Sequence, residues 1–217
     1  MDSPAVRRAR VLVRADLDGD GRPDTLSVTG PSGPCPDTLV AAVGGRHASL
    51  RLGGRRGGHR LAPGAVTLVQ VPGRRGLLVG ARETRRHGGF QLHLFAYADG
   101  HLGELRDRGG SPLVPAVPTG VVAPDAGPVP VSAGCVRRSI VVVQAVPHRP
   151  RGATLAWDVR RTRYTVSGAR VTGQHTTGVA RDVPPARLRS RYPDLVNHVL
   201  FRRCAAATPL SSGTVAS

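Results

Sequence analysis

Four carboxylates fall within nine residues of one another in the segment Ala15-Asp16-Leu17-Asp18-Gly19-Asp20-Gly21-Arg22-Pro23-Asp24. Asp16, Asp18 and Asp20 occupy loop positions one, three and five. Arg22 stands at position seven, where its backbone carbonyl can serve, and Asp24 stands at position nine. This alternation suits a hard cation: Ca²⁺ takes six to eight oxygens at about 2.3–2.6 Å, and a residue-by-residue alternation turns successive carboxylates inward. Gly21, at position six, supplies the sharp turn. Without a cation, carboxylates ~4 Å apart repel by about 1 kcal/mol per pair in water, and by more when partly desolvated. The competing reading is an exposed acidic turn. The loop is not an EF-hand, because position twelve is Ser27 rather than a bidentate Glu, and Pro23 sits inside the loop.

Other catalytic patterns are missing. The chain has no Gly-x-Ser-x-Gly, no His-Glu-x-x-His and no dinucleotide fingerprint. It has no Lys, which removes a P-loop, a Schiff base and any amine nucleophile. The only glutamates, Glu83 and Glu104, are too far apart in sequence to argue an acid/base pair, and His93 is expected at a surface or rim. The expectation is therefore a protein that is not an enzyme. The cysteines, Cys35, Cys135 and Cys204, have no CxxC spacing that would indicate zinc, and their odd number leaves at least one thiol outside any internal pair.

The elements that must position the acidic loop read as β. Short apolar runs at 11–13, 25–28, 38–43, 47–52, 65–71, 76–81 and 139–146 are bounded by turns, and Gly and Pro together supply 47 of 217 residues. Residues 90–97 alternate, which predicts a strand buried on one face. Ala98-Asp99-Gly100 is a hairpin turn. Further strands are expected at 153–159 and 162–166. Residues 184–198 are the best helical segment, divided by Pro193. With only seven aromatic residues, the core must be made of Val, Leu and Ala. Residues 12–28 and 66–79 both read strand, loop, strand. This pattern is a repeat whose second copy has lost its acids, or a coincidence in a Val- and Gly-rich chain.

The sequence Val13-Arg14-Ala15 through Asp24-Thr25-Leu26-Ser27-Val28 resembles the FG-GAP / VCBS repeat, the calcium-loop blade of integrin alpha-type β-propellers. Weaker similarity to bacterial secreted proteins carrying such repeats extends to Gly76–Ala81, Gly134-Cys135-Val136 and the segment ending at Cys204. The resemblance implies an all-β fold of propeller-like hairpins or blades, forming an incomplete or open propeller, with a possible short C-terminal helix. It implies Ca²⁺ held by Asp16, Asp18, Asp20, the Arg22 carbonyl and Asp24. It also implies a Cys135–Cys204 disulfide if the protein is exported, leaving Cys35 as the free thiol. The Phe-Gly…Gly-Ala-Pro element of the family is absent, and only one loop is intact. The organisation expected is a β domain at 9–106, a Pro/Gly-rich linker or irregular segment at 107–134, a C-terminal β segment at 135–204 and a disordered tail at 205–217.

The net charge is +17, carried by 31 Arg against 14 acids. The Arg residues are dispersed in pairs with few aromatics between them, so specific nucleic-acid readout is poorly supported, and non-specific adhesion to polyanions is expected. A G+C-rich gene accounts equally well for the Arg, Ala, Gly and Pro content. The function expected is a non-enzymatic, calcium-binding structural or ligand-binding role at the cell envelope or outside the cell, with an unknown protein or polysaccharide partner. The alternative is an Arg-rich module binding nucleic acid or acidic polymers. No segment is long and apolar enough to span a membrane, and no export signal is visible in the first 30 residues. The compartment is cytoplasmic if Met1 is the true start, and extracellular or cell envelope if an upstream start restores a signal.

Overall fold

A computed structural model describes residues 9–30, 35–36, 38–52, 61–84, 89–116, 130–148, 155–202 and 204–206. The basic loop at 53–59, residues 117–129 and the tail from 207 lie outside these.

Four consecutive strands, β1 (Arg10–Ala15), β2 (Asp24–Val28), β3 (Thr38–Val43) and β4 (Arg46–Arg51), form the first antiparallel meander. β5 (Leu61–Gln70), β6 (Leu78–Thr84), β7 (Phe90–Ala98) and β8 (His101–Glu104) form the second, and β9 (Val131–Val136), β10 (Ser139–His148), β11 (Ala156–Ser167) and β12 (Arg170–Val183) the third. Two short helices follow, α1 (Pro185–Arg191) and α2 (Pro193–Val196), separated where Pro193 opens the second. β13 (Ala205–Ala206) then pairs antiparallel with β5 at Ala205↔Gln70 and Ala206↔Val69. The fold is thus all-β with short C-terminal helices, as expected from the sequence.

The three meanders are stacked blade on blade. Val, Leu and Ala from β1–β4 meet Val79, Ala81, Phe95, Tyr97 and Leu102 of the second sheet in one core. The opposite face of the second sheet, with Val69, Leu78, Leu92, Leu94 and Ala96, meets Val131, Ile140, Val142, Tyr164 and Val166 of the third. A smaller cluster joins Trp157, Val159 and Val183 on the third sheet to Leu188 and Leu195 of the helices. Among the described residues no buried cluster joins the first sheet to the third.

This layering corrects several local expectations. β7 is buried on both faces, not one, because its sheet is the middle layer. The polar Gln91 and His93 in its alternation are buried too, and Gln91 Nε2 donates to the Val114 carbonyl at 2.6 Å. The runs expected at 153–159 and 162–166 join in one strand, β11, which starts at Ala156, while 153–154 lie outside the described residues. Arg160 and Arg161 do not interrupt it, since both lie exposed while Val159 and Thr162 are buried. β9 begins at Val131, inside the segment expected as a linker, and Leu113 and Val114 from the same segment are buried in the core.

Cys135 on β9 is bonded to Cys204, which immediately precedes β13. The bridge therefore links the third sheet to the segment that extends the second. Cys35 is an exposed free thiol.

Candidate metal centre

The acidic loop closes the β1–β2 hairpin, whose register places Ala15 opposite Asp24. Asp24 is the first residue of β2 and is buried, with its Oδ2 accepting from the Leu17 amide at 2.8 Å. Asp16 follows β1 directly and accepts twice: from the Gly19 amide at 2.6 Å and from the Gly21 amide at 3.0 Å. Asp18 accepts from the Asp20 amide at 3.1 Å. These bonds wind the loop so that carboxylate oxygens of Asp16, Asp18 and Asp24 lie within 4.8 Å of one another. Asp20 is not in this group. It is exposed, and its carboxylate caps the amide of Arg22, itself an exposed turn residue, at 2.7 Å.

Burial pushes the Asp24 carboxyl above its usual range. The charges of Asp18, Asp20 and Asp16 add to that push, and the Leu17 amide opposes it. Among the described residues no Arg or His lies within ion-pair distance of any of the four aspartates. That is informative in a chain with 31 arginines. Three converging hard oxygens, one of them buried, suit a hard divalent cation, which would remove the repulsion that strains the loop.

The loop leans on the β5–β6 turn, residues 71–77. The Leu77 amide donates to the Asp16 carbonyl at 3.0 Å. Gly19 and Gly76 face each other so closely that a Cβ on Gly19 would sit 2.6 Å from the Gly76 nitrogen. The two hairpins compared in the sequence as a repeat, 12–28 and 66–79, are the first hairpins of successive sheets and touch through their turns.

A second polar cluster was not anticipated. Ring nitrogens of His93 on β7 meet Glu104 Oε1 of β8 at 2.7 Å (Nδ1) and Glu83 Oε2 of β6 at 3.0 Å (Nε2). Arg106 pairs with the other oxygen of Glu104. His93 is buried, not at a rim, and the two glutamates, 21 positions apart, flank one imidazole. The signal was hairpin arithmetic: pairing Phe95 with Glu104 sets Glu104 diagonal to His93. With both glutamates ionised, each ring nitrogen must donate, and that is the imidazolium form, an ion triad.

Burial opposes the charge on His93, but the hydrogen bonds to Glu104 and Glu83 and their charges outweigh it and raise the ring above its ordinary 6.5. Burial likewise opposes ionisation of Glu104, yet His93 and Arg106 hold it below its ordinary 4.5. The signs follow from linkage. The His93 contribution is complete below 6.5 and is lost as pH rises through its raised folded value. The Glu104 contribution is present above 4.5 and is lost as pH falls through its lowered folded value. Melting measured across about pH 4 to 9 should therefore show a stability difference between wild type and His93→Gln that is largest on the acid side of neutrality and shrinks on the alkaline side. A difference that does not vary with pH would show that the ring is not charged in the fold.

In comparisons with protein-family models, with curated proteins and with solved structures, nothing matches this chain.

Proposed function

We propose that this protein is a non-catalytic β-sheet module whose first hairpin loop binds Ca²⁺. Asp16, Asp18 and Asp24 are the carboxylate ligands, and Asp20 and the Arg22 carbonyl complete the shell after small rotations. The ion stiffens the hairpin and, through the Leu77–Asp16 contact, the neighbouring β5–β6 turn, so that the turn end of the stack is held ready for a protein or polysaccharide partner. The observation that carries this reading is the convergence of three carboxylates without, among the described residues, any paired cation, in a protein of charge +17. A disulfide fits a non-reducing compartment, which supports a place at the cell envelope or outside the cell, where free Ca²⁺ is abundant. Among the described residues no helix is long and apolar enough to cross a membrane.

The site lacks a bidentate Glu, so a Kd of about 10⁻⁴–10⁻³ M is expected. At ~1 mM Ca²⁺ and a Kd of ~10⁻⁴ M, linkage stabilises the fold by about 1.4 kcal/mol. That raises the melting temperature by about 3–6 °C for a chain of this length. Chelator should reverse the shift, and Mg²⁺ should substitute poorly, because it demands a tighter octahedron. Asp18→Ala should abolish the Ca²⁺-dependent part, while Asp99→Ala, in the β7–β8 turn, should leave it intact. Identical melting in Ca²⁺ and in chelator, with no calorimetric binding up to ~10 mM, would overturn the calcium reading.

A further inference from the structure

The six hairpin connections β1–β2, β3–β4, β5–β6, β7–β8, β9–β10 and β11–β12 all fall at one end of the stack. Residues from every one of them line a single cavity of about 800 Å³. That volume lies within the range of small-molecule sites, about 300–1,000 Å³. Its lining includes four arginines, Arg46, Arg74, Arg75 and Arg138, against two acidic residues, Asp18 and Asp99. Among the described residues none of these four arginines has an ion-pair partner.

Arg74 is the least exposed of them. Its Nη1 donates to the carbonyls of Arg75 at 2.8 Å and Gly76 at 2.6 Å, and its Nη2 to those of Tyr97 at 3.4 Å and Gly168 at 3.3 Å. It thereby ties together the turns of two sheets using neutral acceptors alone. Its Nε is buried and has no hydrogen-bond partner. A guanidinium taken out of water without a counter-charge is costly, and burial lowers its affinity for the proton. Arg138 is also fixed in place: its amide donates to the Pro72 carbonyl at 2.7 Å and its Nε to the Gly73 carbonyl at 2.9 Å. Arg46 and Arg75 are exposed and able to reach a bound group.

We infer that this cavity is a binding site for a compact, multiply charged oxyanion, recognised through Arg46, Arg75 and Arg138, with the half-buried charge of Arg74 behind them. The ligand supplies the missing counter-charge as clustered carboxylate, phosphate or sulfate oxygens, for which guanidinium forks are the matching donors. A nucleic-acid strand fits the site less well, because it needs stacking platforms, and the one aromatic side chain in the wall, Tyr97, is buried. The inference does not depend on a metal in the acidic loop.

The test is calorimetry on the full chain in calcium-free buffer at ~150 mM salt, with inorganic pyrophosphate and citrate as probes. Saturable binding of at least one probe is expected, and the tighter of the two identifies phosphate or carboxylate oxygens as the preferred group. Arg75→Gln/Arg138→Gln should weaken binding about tenfold or more, the scale of losing charge-assisted hydrogen bonds. Arg189→Gln/Arg191→Gln, on α1, removes the same two charges and should change affinity by less than about twofold. Arg46→Gln gives an independent line if the first pair melts early. Equal loss in both double variants would show that only the diffuse field attracts anions. That result, or no saturable binding of either probe up to ~10 mM, overturns the inference.

Discussion

Replacing Cys135 and Cys204 together by Ser is expected to lower the melting temperature by about 8–16 °C. The bond closes a loop with a sequence separation of 69. On the chain-entropy estimate such a closure contributes about 4 kcal/mol, and a chain of this length loses about 2–4 °C per kcal/mol. The native side reinforces the estimate. Near Cys204, the Phe201 amide donates to the Ala133 carbonyl at 2.6 Å, and the Ala133 amide donates to the Val199 carbonyl at 3.1 Å. Phe201 and Cys204 are both buried in the core shared by the second and third sheets. Releasing the bridge therefore also frees the two-residue strand β13, whose ladder is too short to hold on its own. Reductant should reproduce the loss, and Cys35→Ser should leave the melting temperature unchanged because that thiol is exposed and unbonded. Thermal melting with and without reductant, together with non-reducing peptide mapping, decides the matter. A shift below about 3 °C would mean that the bridge constrains little of the unfolded chain.

Gly76→Ala is expected to destabilise the fold by about 3 kcal/mol or more, a drop of about 6–12 °C. Gly76 has φ +68°, a left-handed conformation that disfavours a side chain. Sterics add the larger part. An added Cβ would lie 2.2 Å from the Leu17 carbonyl oxygen and 3.0 Å from the Asp18 carbonyl carbon. Both are backbone atoms, so no side-chain rotation relieves the clash, and the acidic loop must separate from the β5–β6 turn. That separation breaks the Leu77–Asp16 hydrogen bond and should weaken the Ca²⁺ response as well as the fold. Gly100→Ala is the control. Its φ is also positive, +80°, but nothing lies within 4 Å of the new Cβ. Only the conformational term remains there, about 1–2 kcal/mol. Denaturant unfolding of both variants measures the difference, and equal losses would refute the close approach of the two turns.

The sequence alone carried the strand class and the acidic loop because both are written in short-range spacing. Turn residues punctuate apolar runs every few positions, and the period of the aspartates lies within one loop. Leu26, Leu39 and Leu78 are fully buried as their places in such runs imply, and Pro193 divides the helices where its missing amide requires. The membership of the carboxylate group was legible only in part. Asp16, Asp18 and Asp24 converge, whereas Asp20, at the apex, finds its own amide partner at Arg22 and lies outside the group. Local spacing does not settle that choice, since either arrangement satisfies the loop.

Tertiary structure decided everything that depends on which layer a sheet occupies. β7 alternates polar and apolar residues, and alternation by itself means one wet face. In the middle of three layers both faces are buried, and the polar positions Gln91 and His93 are satisfied from inside by Val114, Glu83 and Glu104. The joining of Glu83 to Glu104 through His93 depends on strand register, and the gathering of Arg46, Arg74, Arg75 and Arg138 around one cavity depends on three sheets placing their turns at the same end. Glu83, His93 and Glu104 come from three strands and the arginines from three sheets, so no single local period connects either group. Strand pairing within the second sheet brings His93 to Glu83 and Glu104, while apolar packing of sheet on sheet brings the four arginines around the cavity.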